Sequence, residues 1–197
     1  MATRWTQAAT ILTPTIEVCG YRLLPFCLRH RVALEAIGSP AMDKSLPMTC
    51  SHILAAARIL SSHDLEILRK PSKASDNYYA TRMGFSQKYL FNEIMKLHYY
   101  FEAQSLWPRF WEKEGSPEGR DSGTPWQLVI IASLVRNGFT SEEAWTMPES
   151  QAVWLHIANS QASGCAIEIV SDKEWQAMED FKKSQLTQPP TPPGSNG

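Results

Sequence analysis

Apolar residues spaced three and four apart, in segments closed off again and again by Pro or Gly, constrain this chain more than any other feature. That period belongs to the α-helix, and breakers at such short intervals hold each helix to a few turns. Leu28 to Ile37 is the first clear case: Leu28, Val32 and Ala36 share a face before Gly38-Ser39-Pro40 stops the run. Thr49 then offers an N-cap to an Ala-rich helix that carries Ile53, Leu54, Ala57, Ile59 and Leu60. Asp64 to Arg69 has room for a turn or two, and Pro71 to Asp76 is a polar break. Asn77 to Trp111 reads as the longest helix, with Tyr89, Leu90, Ile94, Leu97, Tyr100 and Phe101 at helical spacing and no Pro before Pro108.

Further on, Thr124 is placed as an N-cap before Pro125, and Trp126, Leu128, Val129, Ile131, Ala132 and Val135 follow until Asn137-Gly138 ends the helix. Thr140 with Glu143 has the spacing of a reciprocal capping box and opens a brief helix that Met147-Pro148 closes. Glu149 to Gln161 is helical, and a last helix runs from Ser171, capped with Glu174, to near Ser184. Two stretches read as extended. Thr15 to Leu23 alternates around Gly20, and Cys165 to Val170 is placed as a strand beside Ile16 to Cys19. The expected fold is therefore mainly α, a multi-helix bundle with at most one short β hairpin or strand pair.

Glu112 to Thr124 has no apolar side chain able to anchor in a core, so it reads as a linker. It separates an N-terminal helical body, 1–112, with a short strand near 15–23, from a C-terminal helical unit, 125–185, across residues 113–124. Residues 186–197, rich in Pro, read as a disordered tail.

Nineteen Lys plus Arg against twenty Asp plus Glu leave a net charge of −1, so no global field draws the molecule to phosphate backbones or anionic membranes. No run approaches the roughly 20 apolar residues of a membrane helix. The N-terminus lacks a sustained hydrophobic region with a cleavage site, which points to the cytoplasm and to four reduced cysteines, Cys19, Cys27, Cys50 and Cys165.

Cys19, Cys27 and His30, with Cys50 and His52, supply enough ligand types for zinc, but their spacings differ from the tight pairs of structural zinc sites. Buried thiols and partly exposed imidazoles are the expected outcome. The chain has no nucleophile elbow, phosphate loop, dinucleotide turn or His-Glu-x-x-His helix. No catalytic residue, cofactor or metal is expected, and Glu66, Glu93, Glu102, Asp172 and Glu174 read as cap or solvated-face carboxylates. Trp126 to Asn159 has the outline of a helix-turn-helix unit, yet its third helix has no Lys or Arg to read base edges. Trp126, Trp145 and Trp154 are instead expected to surround a protein-binding seam.

Two segments resemble the small tail-assembly chaperones of tailed phages and prophages. The first is Tyr21 to His30 with its Pro25-Phe26 step, continued by Val32 to Pro40. The second runs through Pro125-Trp126-Gln127-Leu128, Leu134 to Phe139, Glu142 to Pro148 and Ala152 to Leu155. The resemblance implies a non-catalytic helper in the bacterial host cytoplasm that binds the tape-measure protein, assists tail-tube subunits and is absent from the finished virion. Self-association is left open. The alternatives are a helical DNA-binding or regulatory module of a mobile element, or a minor virion structural protein.

Overall fold

In a computed structural model of the chain, the residues described are 3–10, 15–43, 45–71, 73–110 and 123–187. Among them, nine α-helices accompany one two-stranded antiparallel sheet, the mainly α architecture with a single hairpin that the apolar period implies. Helix α1 (Arg4–Thr10) forms in the polar opening, to which the sequence reading assigned no element.

Strands β1 (Glu17–Val18) and β2 (Tyr21–Arg22) pair Glu17 with Arg22 and Val18 with Tyr21. The intervening Cys19 and Gly20 both have positive φ, 49° and 74°, which gives the two-residue turn whose twist matches antiparallel strands. Helix α2 (Leu28–Ala36) follows, and α3 (Cys50–Leu60) begins at the Thr49 cap, with His52 in the place usually taken by Glu. Ile53, Ala56, Ala57, Ile59 and Leu60 of α3 are fully buried.

The long helix expected over Asn77 to Trp111 is two helices, α4 (Ala74–Phe85) and α5 (Gln87–Gln104). Ser86 between them is extended, at φ −134° and ψ 103°, and its hydroxyl accepts the Tyr89 amide at 3.2 Å. A Ser gains more from capping than from a helix interior, and the break lets Met83 and Leu97 enter the same core.

In the C-terminal half, α6 (Trp126–Arg136), α7 (Ser141–Thr146), α8 (Glu149–Ala162) and α9 (Asp172–Thr187) follow in order. Pro125, not Thr124, occupies the cap position of α6, where no side chain bonds the helix end. The Thr140–Glu143 box closes reciprocally, with amide-to-side-chain bonds of 2.8 and 3.2 Å. Helix α9 continues to Thr187, past Ser184 and into the segment expected as tail. Ile169 pairs with Phe110, and the Val170 amide bonds the Arg109 carbonyl at 2.8 Å, so Cys165 to Val170 does not join the hairpin. The hairpin is covered by α5, whose buried Glu93 accepts the Cys19 amide at 2.8 Å. The linker reading falls largely on 111–122 and the tail reading on 188–197, which lie outside the described residues.

Apolar side chains form two clusters. One gathers Val18, Leu34, Ile53, Leu60, Met83, Leu97 and Tyr100. The other gathers Ile130, Ile131, Leu134, Ala144, Ala152, Val153 and Ile157, with Leu28 of α2 inserted among them. Cys27 pairs with Pro148 in an isolated bridge, and the Glu149 amide donates to the Phe26 carbonyl at 2.7 Å, so the start of α2 and the start of α8 are stitched together. Helix α1 packs on α8, with Trp5 against Trp154 at 5.9 Å.

Candidate functional site

The three tryptophans singled out from the sequence have different partners. Trp126 meets Trp107 edge to face at 5.2 Å. Trp154 stands against Trp5, and its indole N–H donates to the Leu106 carbonyl at 2.8 Å. Trp145, half-buried, packs on the C-terminal core. Among the described residues no ring contact joins any two of the three. What surrounds Trp126 instead is the Arg31 guanidinium, 5.3 Å from the Trp126 and Phe26 rings and 5.5 Å from the Trp107 ring. Arg31 also forks onto the Glu149 carboxylate, with one bond at 2.6 Å. Burial pushes the Glu149 carboxyl up despite the opposing pull of Arg31. Sequence reading missed this clamp because its members lie on α2, α6, α8 and the segments before α2 and after α5.

Helix α6 has apolar residues on nearly every face but buries only one of them. Gln127, Ile130, Ile131 and Leu134 point inward, while Trp126, Leu128, Val129 and Val135 are 37%, 45%, 41% and 43% exposed. Leu128, Ala132 and Val135 lie at helical spacing on the outer side, so the exposed apolar residues form a stripe.

A second constellation is polar and lies at the start of α2. Among the described residues, the group of His, Cys and carboxylate side chains close enough to share a metal ion is Cys27, His30 and His63, each with one ligand atom within 4.8 Å of the others. Cys27 occupies the N-cap of α2, His30 lies in its first turn, and His63 follows α3. His30 is fully buried, with Nε2 3.1 Å from the Ser62 carbonyl. A carbonyl only accepts, so Nε2 carries the proton and Nδ1 presents a lone pair. That Nδ1 and the Nε2 of His63 are buried without hydrogen-bond partners. Burial, aided by His63 and Arg29, brings His30 down to about 4 against the opposing Ser62 and Pro25 carbonyls, so the ring is neutral. Burial likewise lowers His63, with Arg29 adding to the effect.

Burial raises the Cys27 thiol to about 11 although the His30 and Arg29 amides favour its thiolate, so without a cation it is a protonated, unreactive thiol. Beside the cluster is an open depression lined by Arg29, His63, Asp64, Leu65, Glu66 and Glu142. Arg29 grips Glu142 through two bonds of 2.8 and 2.5 Å and also donates to the His63 carbonyl.

The other cysteine and histidine candidates are used elsewhere. Cys19 Sγ lies 3.9 Å from Met83 Sδ, Cys50 packs at the edge of the N-terminal core, and His52 Nδ1 accepts the Thr49 amide at 3.3 Å. His63 escaped the sequence reading because it follows a different helix; the available signal was the Cys-x-x-His spacing at the opening of α2.

The first turn of α8, which a helix-turn-helix reader would direct at base edges, is occupied internally. Glu149 and Ser150 are 2% and 6% exposed, and the Ser150 hydroxyl bonds the Gln104 carbonyl. No helix of the described residues is long and apolar enough to cross a membrane. No family model, curated protein or solved structure matches this chain.

Proposed function

We propose that the protein is a non-catalytic binding helper that holds a helical client, in the manner of the phage tail-assembly chaperones its sequence resembles. The tape-measure protein is the client and tail-tube subunits are further partners, all met in the bacterial host cytoplasm. The observation that carries this reading is the exposed apolar stripe of α6, with Leu128, Val129 and Val135 each more than a third in solvent. An apolar stripe on a helix fixed by its opposite face suits an amphipathic client helix, which buries its own stripe by lying alongside. The polar surroundings on the groove between α6 and α8, including Ser133, Arg136, His156 and Asn159, would form the rim that confers register.

The test is co-expression with the tape-measure protein of the same phage or prophage. The full chain should keep that client soluble and co-purify with it, and Leu128→Asp with Val135→Asp should abolish both effects while leaving helicity unchanged. A client that is equally soluble with the doubly substituted chain would overturn the reading.

A further inference from the structure

The buried imidazole nitrogens beside Cys27 have no role in the binding reading, and the geometry points to a metal site. We propose that Cys27, His30 and His63 bind one divalent cation of the zinc class, with solvent in the fourth position. A thiolate and two neutral imidazoles are a ligand set that zinc accepts, and three protein ligands with an open position is an established coordination pattern.

Three independent features of the cluster favour a ligand. The first is an accounting of polar atoms: among the described residues five buried side-chain nitrogens have no hydrogen-bond partner, and two of them, His30 Nδ1 and His63 Nε2, belong to rings whose centroids are 5.3 Å apart in this one cluster. A cation between them satisfies both lone pairs at once. The second is orientation. The Nε2–H of His30 donates to the Ser62 carbonyl, which fixes the tautomer and directs Nδ1 as an outer hydrogen bond does for metal-binding histidines. The third is placement. Cys27 and His30 share the opening of α2, so two ligands come from one rigid turn, while His63 comes from the chain leaving α3.

The distances are those of a site that closes slightly on its ion. Ligand atoms within 4.8 Å of one another must draw together by about 1 Å to hold an ion at metal–ligand lengths of roughly 2.0–2.3 Å. His63 supplies that movement, since it is the partly exposed member and borders the open depression. Solvent reaches the fourth position from the same side. Arg29 lines that depression, and Glu142 neutralises it through two hydrogen bonds. On binding, the Cys27 S–H bond breaks, its proton leaves to solvent and the sulfur electron pair goes to the metal. The ion then links the start of α2, which carries Leu28 into the C-terminal core, to the end of α3 in the N-terminal core.

The experiment is a cobalt titration of the full-length, chelator-treated protein, followed by displacement with zinc. The expected result is one equivalent of Co²⁺ bound with thiolate-to-cobalt charge transfer in the near ultraviolet and the intense visible bands of a four-coordinate ion. Zinc should abolish both and raise the thermal midpoint. His63→Asn, at a partly exposed position, should keep the helical circular dichroism and weaken cobalt binding by at least about tenfold, the smallest loss seen when even an outer-shell partner is removed. Cys27→Ser should delete the charge-transfer band, whereas Cys50→Ser and His52→Asn should leave it intact. Absence of any thiolate-to-cobalt band in the folded wild-type protein, or undiminished affinity in His63→Asn, would overturn the site.

Discussion

Gly20 is held at φ 74°, and a Cβ there would come within 2.8 Å of the Tyr79 ring. The ring end can swing aside, but the backbone penalty of a left-handed residue, about 1–2 kcal/mol, cannot be relieved without opening the turn. Gly20→Ala should therefore lower stability by that amount in urea unfolding, and an unchanged midpoint would show that the hairpin relaxes freely. Tyrosines around the same core give a pH dependence. The Tyr21 hydroxyl donates to Asp76 at 2.7 Å and that of Tyr100 to the Leu24 carbonyl at 2.7 Å. Burial, reinforced by Asp76, lifts Tyr21 from 10.0 to about 12, and burial lifts Tyr100 well above 10.0. A raised folded value means that stability is complete below pH 10 and is lost as pH climbs, because the unfolded chain sheds these protons first. The thermal midpoint should hold up to pH 10 and fall between pH 10 and 12. Tyr100→Phe should shallow that fall while costing about 1 kcal/mol at neutral pH, since the Leu24 carbonyl loses its donor. Gly20 was legible in the sequence as the centre of an alternating segment; the tyrosine partners were not, because Asp76 and Leu24 lie far from them along the chain.

At the level of elements, most helix starts and stops could be read because their chemistry is local. Thr49 and Thr140 cap the helices that follow them, and Glu143 returns the bond within one turn. Thr140→Ala should cost about 1 kcal/mol, the usual loss for an N-cap hydroxyl, with the change read from the chemical-denaturation midpoint. A loss near zero would mean that α7 is held by Ala144 and Trp145 packing alone. Where the reading failed, tertiary demand decided. Nothing in the apolar period from Asn77 to Trp111 marks Ser86, since a Ser is tolerated inside a helix and becomes a cap only when the next helix must turn back onto the core. Cys165 to Val170 has strand character, but strand propensity does not name a partner, and Glu93 with α5 already covers the hairpin.

Across the whole molecule, the question is what makes two apolar clusters behave as one body, and the answer lies in Arg31. Its guanidinium sits among Phe26, Trp107 and Trp126 and forks onto Glu149, whose side chain is only 3% exposed. No periodicity could place these together, since Arg31 and Glu149 lie 118 residues apart on different helices. The metal cluster was half legible for the same reason, since Cys27 and His30 share a turn but His63 arrives through the fold. A buried pair is worth little against a well-packed apolar pair, yet it is costly to break, because the surviving charge stays buried without its partner. Glu149→Ala should therefore destabilise the protein by about 3–5 kcal/mol, followed by denaturant unfolding with Trp fluorescence as the probe. Joint replacement by Arg31→Met and Glu149→Leu should restore much of that loss, because both desolvated charges are then gone and the aromatic rings retain apolar contacts. If Glu149→Ala instead costs under about 1 kcal/mol, as for exposed pairs, Arg31 turns to water without penalty and the two clusters are joined mainly by Leu28 and the Cys27–Pro148 bridge.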